Sequence, residues 1–140
     1  MDHVGIVVHD LNAAIDFFVE LGLEPEGKGH VGGPWVERII GLENVRVQFA
    51  MMRMPDGNGK LELIRFQSPS HEGETPAAPA NVPGIRHIAF LVDDIDEVLG
   101  RLRAHGAELV GEVVRYENMF RLCYIRGPAN VIIELAERVT

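Results

Sequence analysis

Cysteine is almost absent from this sequence: Cys123 is the only one among 140 residues. A single cysteine excludes an internal disulfide and is typical of proteins from a reducing compartment, so we expect a cytoplasmic protein. Its apolar neighbours Leu122 and Ile125 predict a buried strand position for the thiol rather than a reactive one.

Long hydrophobic runs and basic clusters are also lacking. No apolar run approaches the roughly 18 residues that cross a bilayer, and no leader follows Met1, so we expect neither a membrane partner nor a signal peptide. Only 13 lysines and arginines stand against 21 acidic residues, for a net charge of -8. Because the arginines are scattered singly, no nucleic acid partner is expected either.

The sequence repeats itself, which indicates a duplicated structural unit. Residues 2–11 align without gaps with residues 86–95, at an offset of 84 positions (2 to 86). Residues 61–63 align with residues 133–135, at an offset of 72 positions (61 to 133). Both matches run in the same order along the chain, so two copies of one module are predicted.

Each copy has the pattern of a βαβββ module, which predicts an α+β fold. Asp10 and Asp94 follow β-branched runs and are placed to cap helices. Gly22 and Gly106 are placed to end those helices. The predicted strands cover residues 4–8, 24–30, 45–54 and 60–66 in the first copy, and 88–92, 108–115, 119–126 and 131–137 in the second.

Residues 1–140 are predicted to form one domain, because either half alone would have a marginal core. The first module covers about residues 1–66 and the second about residues 84–140. Residues 67–83 contain four prolines and no periodicity, as expected of a connector.

Four polar residues recur at matching positions of the repeat, namely His3 with His87 and Glu62 with Glu134. We expect all four to lie on strands whose faces carry apolar or small residues, where a carboxylate is costly without a partner. A duplicated unit folded about a pseudo-twofold axis brings equivalent positions together. Two imidazoles and two carboxylates balance a divalent cation. The sequence therefore predicts one metal ion bound by these four residues.

Each of these residues taken alone has an ordinary explanation. A single strand histidine is more often a hydrogen-bonded core or edge residue, and a single strand glutamate more often faces solvent. The joint recurrence favours the metal site, and the small residues Gly5 and Ala89 beside the histidines leave room for a ligand. The other histidines do not pair across the repeat and are predicted at the surface or in loops; they are His9, His30, His71 and His105.

Residues that could contact a substrate are less specific. Trp35 and the methionines Met51, Met52 and Met54 fit a pocket lining and a core equally well. Arg121 shares a strand face with Cys123 and fits either an anionic substrate or a surface role.

The sequence resembles the vicinal oxygen chelate superfamily, which includes glyoxalase I, methylmalonyl-CoA epimerase, extradiol dioxygenases, and bleomycin and fosfomycin resistance proteins. The resemblance covers nearly the whole chain. Its most specific pieces are residues 2–11, 61–63, 84–95 and 127–135. It implies that the modules form an open mixed β-barrel, that the first and fourth strands of each module are neighbours, and that the protein is a homodimer.

The resemblance also implies an activity. A His and an acid from each module is the glyoxalase I pattern, which favours an isomerase or lyase that acts on a small molecule by removing a proton next to a metal-chelated carbonyl. Glu134 is then the preferred base, with Glu62 a ligand and second candidate base. The metal is Zn, Ni, Co, Mn or Fe. An Fe(II)-dependent dioxygenase and a binding or resistance protein without turnover remain alternatives.

Overall fold

A computed structural model describes residues 1–139. The chain divides into two compact units, Met1–Glu74 and Thr75–Thr140. We call them unit 1 and unit 2. Their boundary lies within the segment predicted as a connector, and the assignment of both units to one domain stays a prediction.

Unit 1 is a mixed sheet with two helices. Its elements are β1 (Val4–Val7), α1 (Leu11–Leu21), β2 (Glu24–Gly32), α2 (Pro34–Ile40), β3 (Arg46–Arg53) and β4 (Lys60–Ser68). The strand order is β1-β4-β3-β2, in which β1 runs parallel to β4 and the other pairs are antiparallel. The first and fourth strands are thus neighbours, as the resemblance implies.

Unit 2 repeats this arrangement. Its elements are β5 (His87–Val92), α3 (Ile95–Arg103), β6 (Glu108–Leu109), β7 (Val114–Tyr116), β8 (Phe120–Arg126), a 3-10 turn (Pro128–Asn130) and β9 (Ile132–Arg138). The order β5-β9-β8-β6, with β7 also paired to β8, again sets the first and last strands of the unit side by side and parallel. The predicted α+β fold is confirmed.

The helices begin where the sequence predicts. The Asp10 carboxylate accepts the amide hydrogen of Ala13 at 3.0 Å, and the Asp94 carboxylate accepts that of Glu97 at 3.1 Å. Gly22 ends α1 with a φ of 121°, which favours glycine. The helix α3 ends at Arg103, and a tight turn follows in which Gly106 takes a φ of 89° and the amide of Ala107 donates to the carbonyl of Leu102. Gly106 thus supplies the left-handed position predicted for it.

Two elements differ from the prediction. The helix α2 is not predicted, although Pro34 at its start and the left-handed Gly41 at its end are typical helix signals. Its Val36 packs against Val45 and Val47. The predicted strand 108–115 is two short strands, β6 and β7, because bends at residues 110–111 interrupt the pairing with β8.

Each unit buries apolar side chains beneath its first helix. Phe18 of α1 and Leu63 of β4 are fully buried in unit 1, as Leu102 of α3 and Leu135 of β9 are in unit 2. Cys123 is also buried, and burial raises the pKa of its thiol, which confirms the predicted core position. Within residues 1–139, no helix is both long and apolar enough to cross a membrane.

Candidate metal centre

In unit 1, strand pairing sets Glu62 directly opposite Gly5 on the neighbouring parallel strand. His3 lies two residues before Gly5. It lies one residue before β1 rather than within the strand, where it was predicted. Glu62 is half-buried between the buried residues Leu61 and Leu63, which point to the other face.

In unit 2, the same register sets Glu134 directly opposite Ala89. His87 lies two residues before Ala89, at the start of β5. Its Nε2 atom is 3.2 Å from Oε2 of Glu134, and the Glu134 side chain is 22% exposed. The structure therefore brings His87 and Glu134 together.

The two sets of residues share one strand register. In both units the glutamate is opposite a small residue, Gly5 or Ala89, and the histidine lies two residues before it. A change of one residue in register would turn one member of a pair to the other face. The repeat found in the sequence thus extends to strand register.

Both histidines have a polar partner at the Nδ1 nitrogen. The Nδ1 atom of His3 is 2.7 Å from a carboxylate oxygen of Asp2, and the hydrogen bond to His3 lowers the pKa of Asp2. The Nδ1 atom of His87 is 3.3 Å from the hydroxyl of Tyr124. Metal-binding histidines commonly hold a partner through one nitrogen and the metal through the other. In His87 that other nitrogen, Nε2, faces Oε2 of Glu134 at 3.2 Å.

The residues beside the glutamates differ between the units. Met51 lies opposite Glu62 on β3, whereas Tyr124 lies opposite Glu134 on β8. Val7 and Leu91, two residues beyond Gly5 and Ala89, are 54% and 63% exposed. The face that carries each His–Glu pair is therefore partly apolar and accessible.

Other predicted contact residues have different roles. Met52 is fully buried and belongs to the core, while Trp35 is exposed on α2. The Arg121 guanidinium donates hydrogen bonds to Asp96 at 3.1 Å and to Glu137 at 3.3 Å. These bonds raise the pKa of Arg121 and lower that of Asp96. Arg121 therefore anchors α3 to the sheet.

The histidines predicted at the surface include two with a more specific setting. His71 and His105 are exposed outside the strands. His9 and His30, in contrast, line a cleft in unit 1, and His30 lies on β2. Alignment of each histidine by itself does not reveal that cleft, because the cleft is formed by residues from three strands and the start of α1.

Within either unit, the described residues include no group of three or more His, Cys, Asp and Glu side chains placed to hold a metal ion. In unit 2 the His87 and Glu134 side chains are in contact, whereas in unit 1 the side-chain partner of His3 is Asp2.

Comparison with known proteins identifies the family. Residues 2–124 match the glyoxalase/bleomycin resistance protein/dioxygenase superfamily, and the chain belongs to this superfamily. A glyoxalase family protein from Bacillus cereus is 50% identical, with a TM-score of 0.94 over 100% of this chain and 94% of that one. The uncharacterized protein YwbC of Bacillus subtilis is 30% identical over 99% of this chain and 97% of its own length.

The fold also extends to more distant enzymes. The trypanothione-dependent glyoxalase I of Leishmania major has a TM-score of 0.66 at 21% identity, over 98% of this chain and 85% of that one. At this identity the likeness shows the fold alone. Proteins of the superfamily act on small molecules, and glyoxalase I is one of its members.

Proposed function

We propose that this chain is a metal-dependent isomerase or lyase of the glyoxalase I or epimerase type, acting in the cytoplasm on a small molecule. One observation carries the proposal: a His–Glu pair occurs with the same strand register in both units. Structural packing alone gives no reason for the same two polar side chains to recur at both places.

The proposed ligands of the metal are His3, Glu62, His87 and Glu134. Their chemistry fits a divalent ion, since two carboxylates balance its charge and two neutral imidazoles complete the set. Zn, Ni, Co, Mn and Fe all accept this mixture of ligands. The partners at Nδ1, Asp2 and Tyr124, support the proposal because they leave Nε2 as the nitrogen of each histidine that would bind the metal.

A bound divalent ion supplies Lewis-acid polarisation of a substrate carbonyl. We assign proton transfer to Glu134, whose Oε2 accepts the proton from the carbon next to that carbonyl and returns it to the same or the neighbouring carbon. His87, at 3.2 Å, orients this carboxylate. Glu62 acts as a ligand and is the second candidate base.

The small residues opposite the glutamates provide space for the substrate. A Cβ atom added at Gly5 would lie 3.4 Å from Cδ1 of Ile64, an ordinary contact. Packing inside unit 1 therefore does not require glycine here, and space above Glu62 is the better reason for it. The exposed Val7 and Leu91 offer apolar contacts on the same faces.

Solvent deuterium exchange tests this function directly. Protein loaded with Zn, Ni, Co, Mn or Fe(II) is incubated in D₂O with a panel of 2-oxo thiohemiacetals and 2-substituted acyl thioesters. We expect metal-dependent exchange at the carbon next to the carbonyl. Replacing Glu134 by Gln should lower the rate by about 10² or more, the usual contribution of a positioned base.

The matched control is Glu108→Gln, an exposed glutamate at the start of the short strand β6 in the same sheet. The Glu108→Gln protein should catalyse deuterium exchange at the parent rate. Equal rates for Glu134→Gln and the parent would contradict the assigned base. Oxygen uptake by the Fe(II) form without proton exchange would instead favour a dioxygenase, and tight binding without exchange would favour a resistance protein.

We further propose that the enzyme is a homodimer, as its family resemblance implies. Light scattering after size exclusion should give twice the mass of one chain. The mass of a single chain at micromolar concentration would contradict this.

A further inference from the structure

A cleft of about 630 Å³ opens in unit 1 at the start of α1, away from the His–Glu pair. It is lined by His9, Asp10, Leu11, Asn12, Lys28, Gly29, His30, Gln48, Phe49 and Arg65. Arg65 lies three residues after Glu62 on β4, so its side chain points to the opposite face of the sheet. That face packs against α1, and neither His3 nor Glu62 lines the cleft.

The polar groups of the cleft are mostly hydrogen-bond donors. Lys28 and Arg65 carry positive charge, in a chain whose net charge is -8. Arg65 donates to Oε1 of Gln48 at 3.0 Å, which leaves the amide hydrogens of Gln48 available. Among the lining residues Asp10 is the one carboxylate, and it already accepts the amide hydrogen of Ala13.

In unit 2, the position equivalent to this cleft, at the start of α3, is occupied by a carboxylate of the chain itself. The Glu137 carboxylate accepts the amide hydrogen of Ile95, the first residue of α3, at 2.8 Å. It also accepts a hydrogen bond from Arg121 at 3.3 Å, and Asp96 on α3 holds the same guanidinium. The start of α3 is thus neutralised by carboxylates within the unit, as the partial positive charge of a helix start favours.

Unit 1 lacks both of these carboxylates. Arg65 corresponds to Glu137, at the same offset of 72 that relates the two metal-site glutamates, and Asn12 corresponds to Asp96 at the offset of 84. Gln48 is the cross-strand neighbour of Arg65, as Arg121 is of Glu137. A cation beside a helix start is unfavourable unless an anion lies between them.

We propose that this cleft binds a phosphate group, from inorganic phosphate or a phosphate ester, in the place that Glu137 fills in unit 2. Arg65 and Lys28 bind the anion through charge-assisted hydrogen bonds. The amide groups of Leu11 and Asn12 have no acceptor within α1 and complete the site, since a helix start with open amides is a common phosphate site. His9, His30 and Gln48 add side-chain donors at its border.

Phosphate titration of metal-free protein tests the proposal, because EDTA removes any contribution of the metal centre. Calorimetry should give a dissociation constant of about 1 mM or tighter, and amide NMR shifts should move at Leu11, Asn12 and Gly29. Arg65→Glu, which introduces the unit 2 residue, should weaken binding by about tenfold or more. Asn12→Asp, a second variant that leaves the sheet untouched, should weaken it in the same direction.

Lys28→Gln and Lys60→Gln form a matched pair with the same change of charge. Lys60 lies on β4 and pairs with Glu26 outside the cleft. Lys28→Gln should weaken binding by about fivefold, and Lys60→Gln should leave it within twofold. No binding below about 10 mM, equal effects of the two lysine variants, or acetate binding as tightly as phosphate would overturn the proposal.

Discussion

At the scale of single residues, small side chains determine how closely neighbouring groups approach. Gly5 and Ala89 lie opposite the two glutamates and keep their faces accessible. Gly29 on β2 has a different role, because the Phe49 ring lies where its side chain would be. A Cβ atom at Gly29 would be 2.8 Å from the ring of Phe49.

We therefore predict that Gly29→Ala destabilises the protein by about 1 to 3 kcal/mol, the usual cost of overpacking. Gly27→Ala, on the same strand, is the matched control, since a Cβ atom there would meet nothing within 4 Å. It should be neutral or slightly stabilising. Urea unfolding measures both free energies, and equal values for the two variants would contradict the packing argument.

At the scale of elements, the polar contacts at the start of the first helix differ between the units. In unit 2, Arg121 on β8 binds Asp96 on α3 and Glu137 on β9. In unit 1, Arg65 and Gln48 occupy the matching strand positions and bind each other. The fold has thus been kept while the polar contacts at one helix start have changed.

The anchor of α3 predicts a dependence of stability on pH. The Arg121 guanidinium holds the pKa of Asp96 below its ordinary value of 3.8. A carboxyl whose folded pKa is lowered stabilises the fold above the unfolded pKa, and this stabilisation is lost as pH falls through the lowered value. We expect Asp96→Asn to reduce the free energy of unfolding at neutral pH, and the difference from the parent to shrink well below pH 3.8.

Asp16→Asn, at an exposed position of α1 in unit 1, is the control. It removes one carboxylate without touching the anchor, so its difference from the parent should be small and nearly constant. Urea unfolding at several pH values measures both variants. A loss for Asp96→Asn that persists unchanged in acid would show that the ionised carboxylate is not the stabilising group.

At the scale of the whole molecule, the repeat made much of the fold predictable. The caps Asp10 and Asp94 follow from local signals, and the adjacency of the first and last strands follows from the family resemblance. The helix α2 was missed because residues 34–40 have no counterpart in the second copy. The interrupted strand before β8 was missed because apolar composition predicts strand without revealing a break in pairing.

The site was predictable to the extent that it repeats. Matching positions identified the four candidate metal ligands, and the strand register in each unit agrees with that pairing. Asp2 and Tyr124, which contact the histidines, were not predicted as site residues because neither recurs at its matching position. The role proposed for Arg65 was not predicted for the same reason. Its difference from Glu137 can be interpreted only when the contacts of Glu137 with α3 are known.

The proposed metal site takes ligands from both units, and metal analysis of purified protein tests it most directly. The parent should hold one equivalent per chain, and His87→Ala in unit 2 and Glu62→Gln in unit 1 should each lose nearly all of it. The control His71→Ala changes a histidine in the chain segment that links β4 to β5. This variant should retain one full equivalent of metal. Full metal content in either His87→Ala or Glu62→Gln would contradict the shared centre.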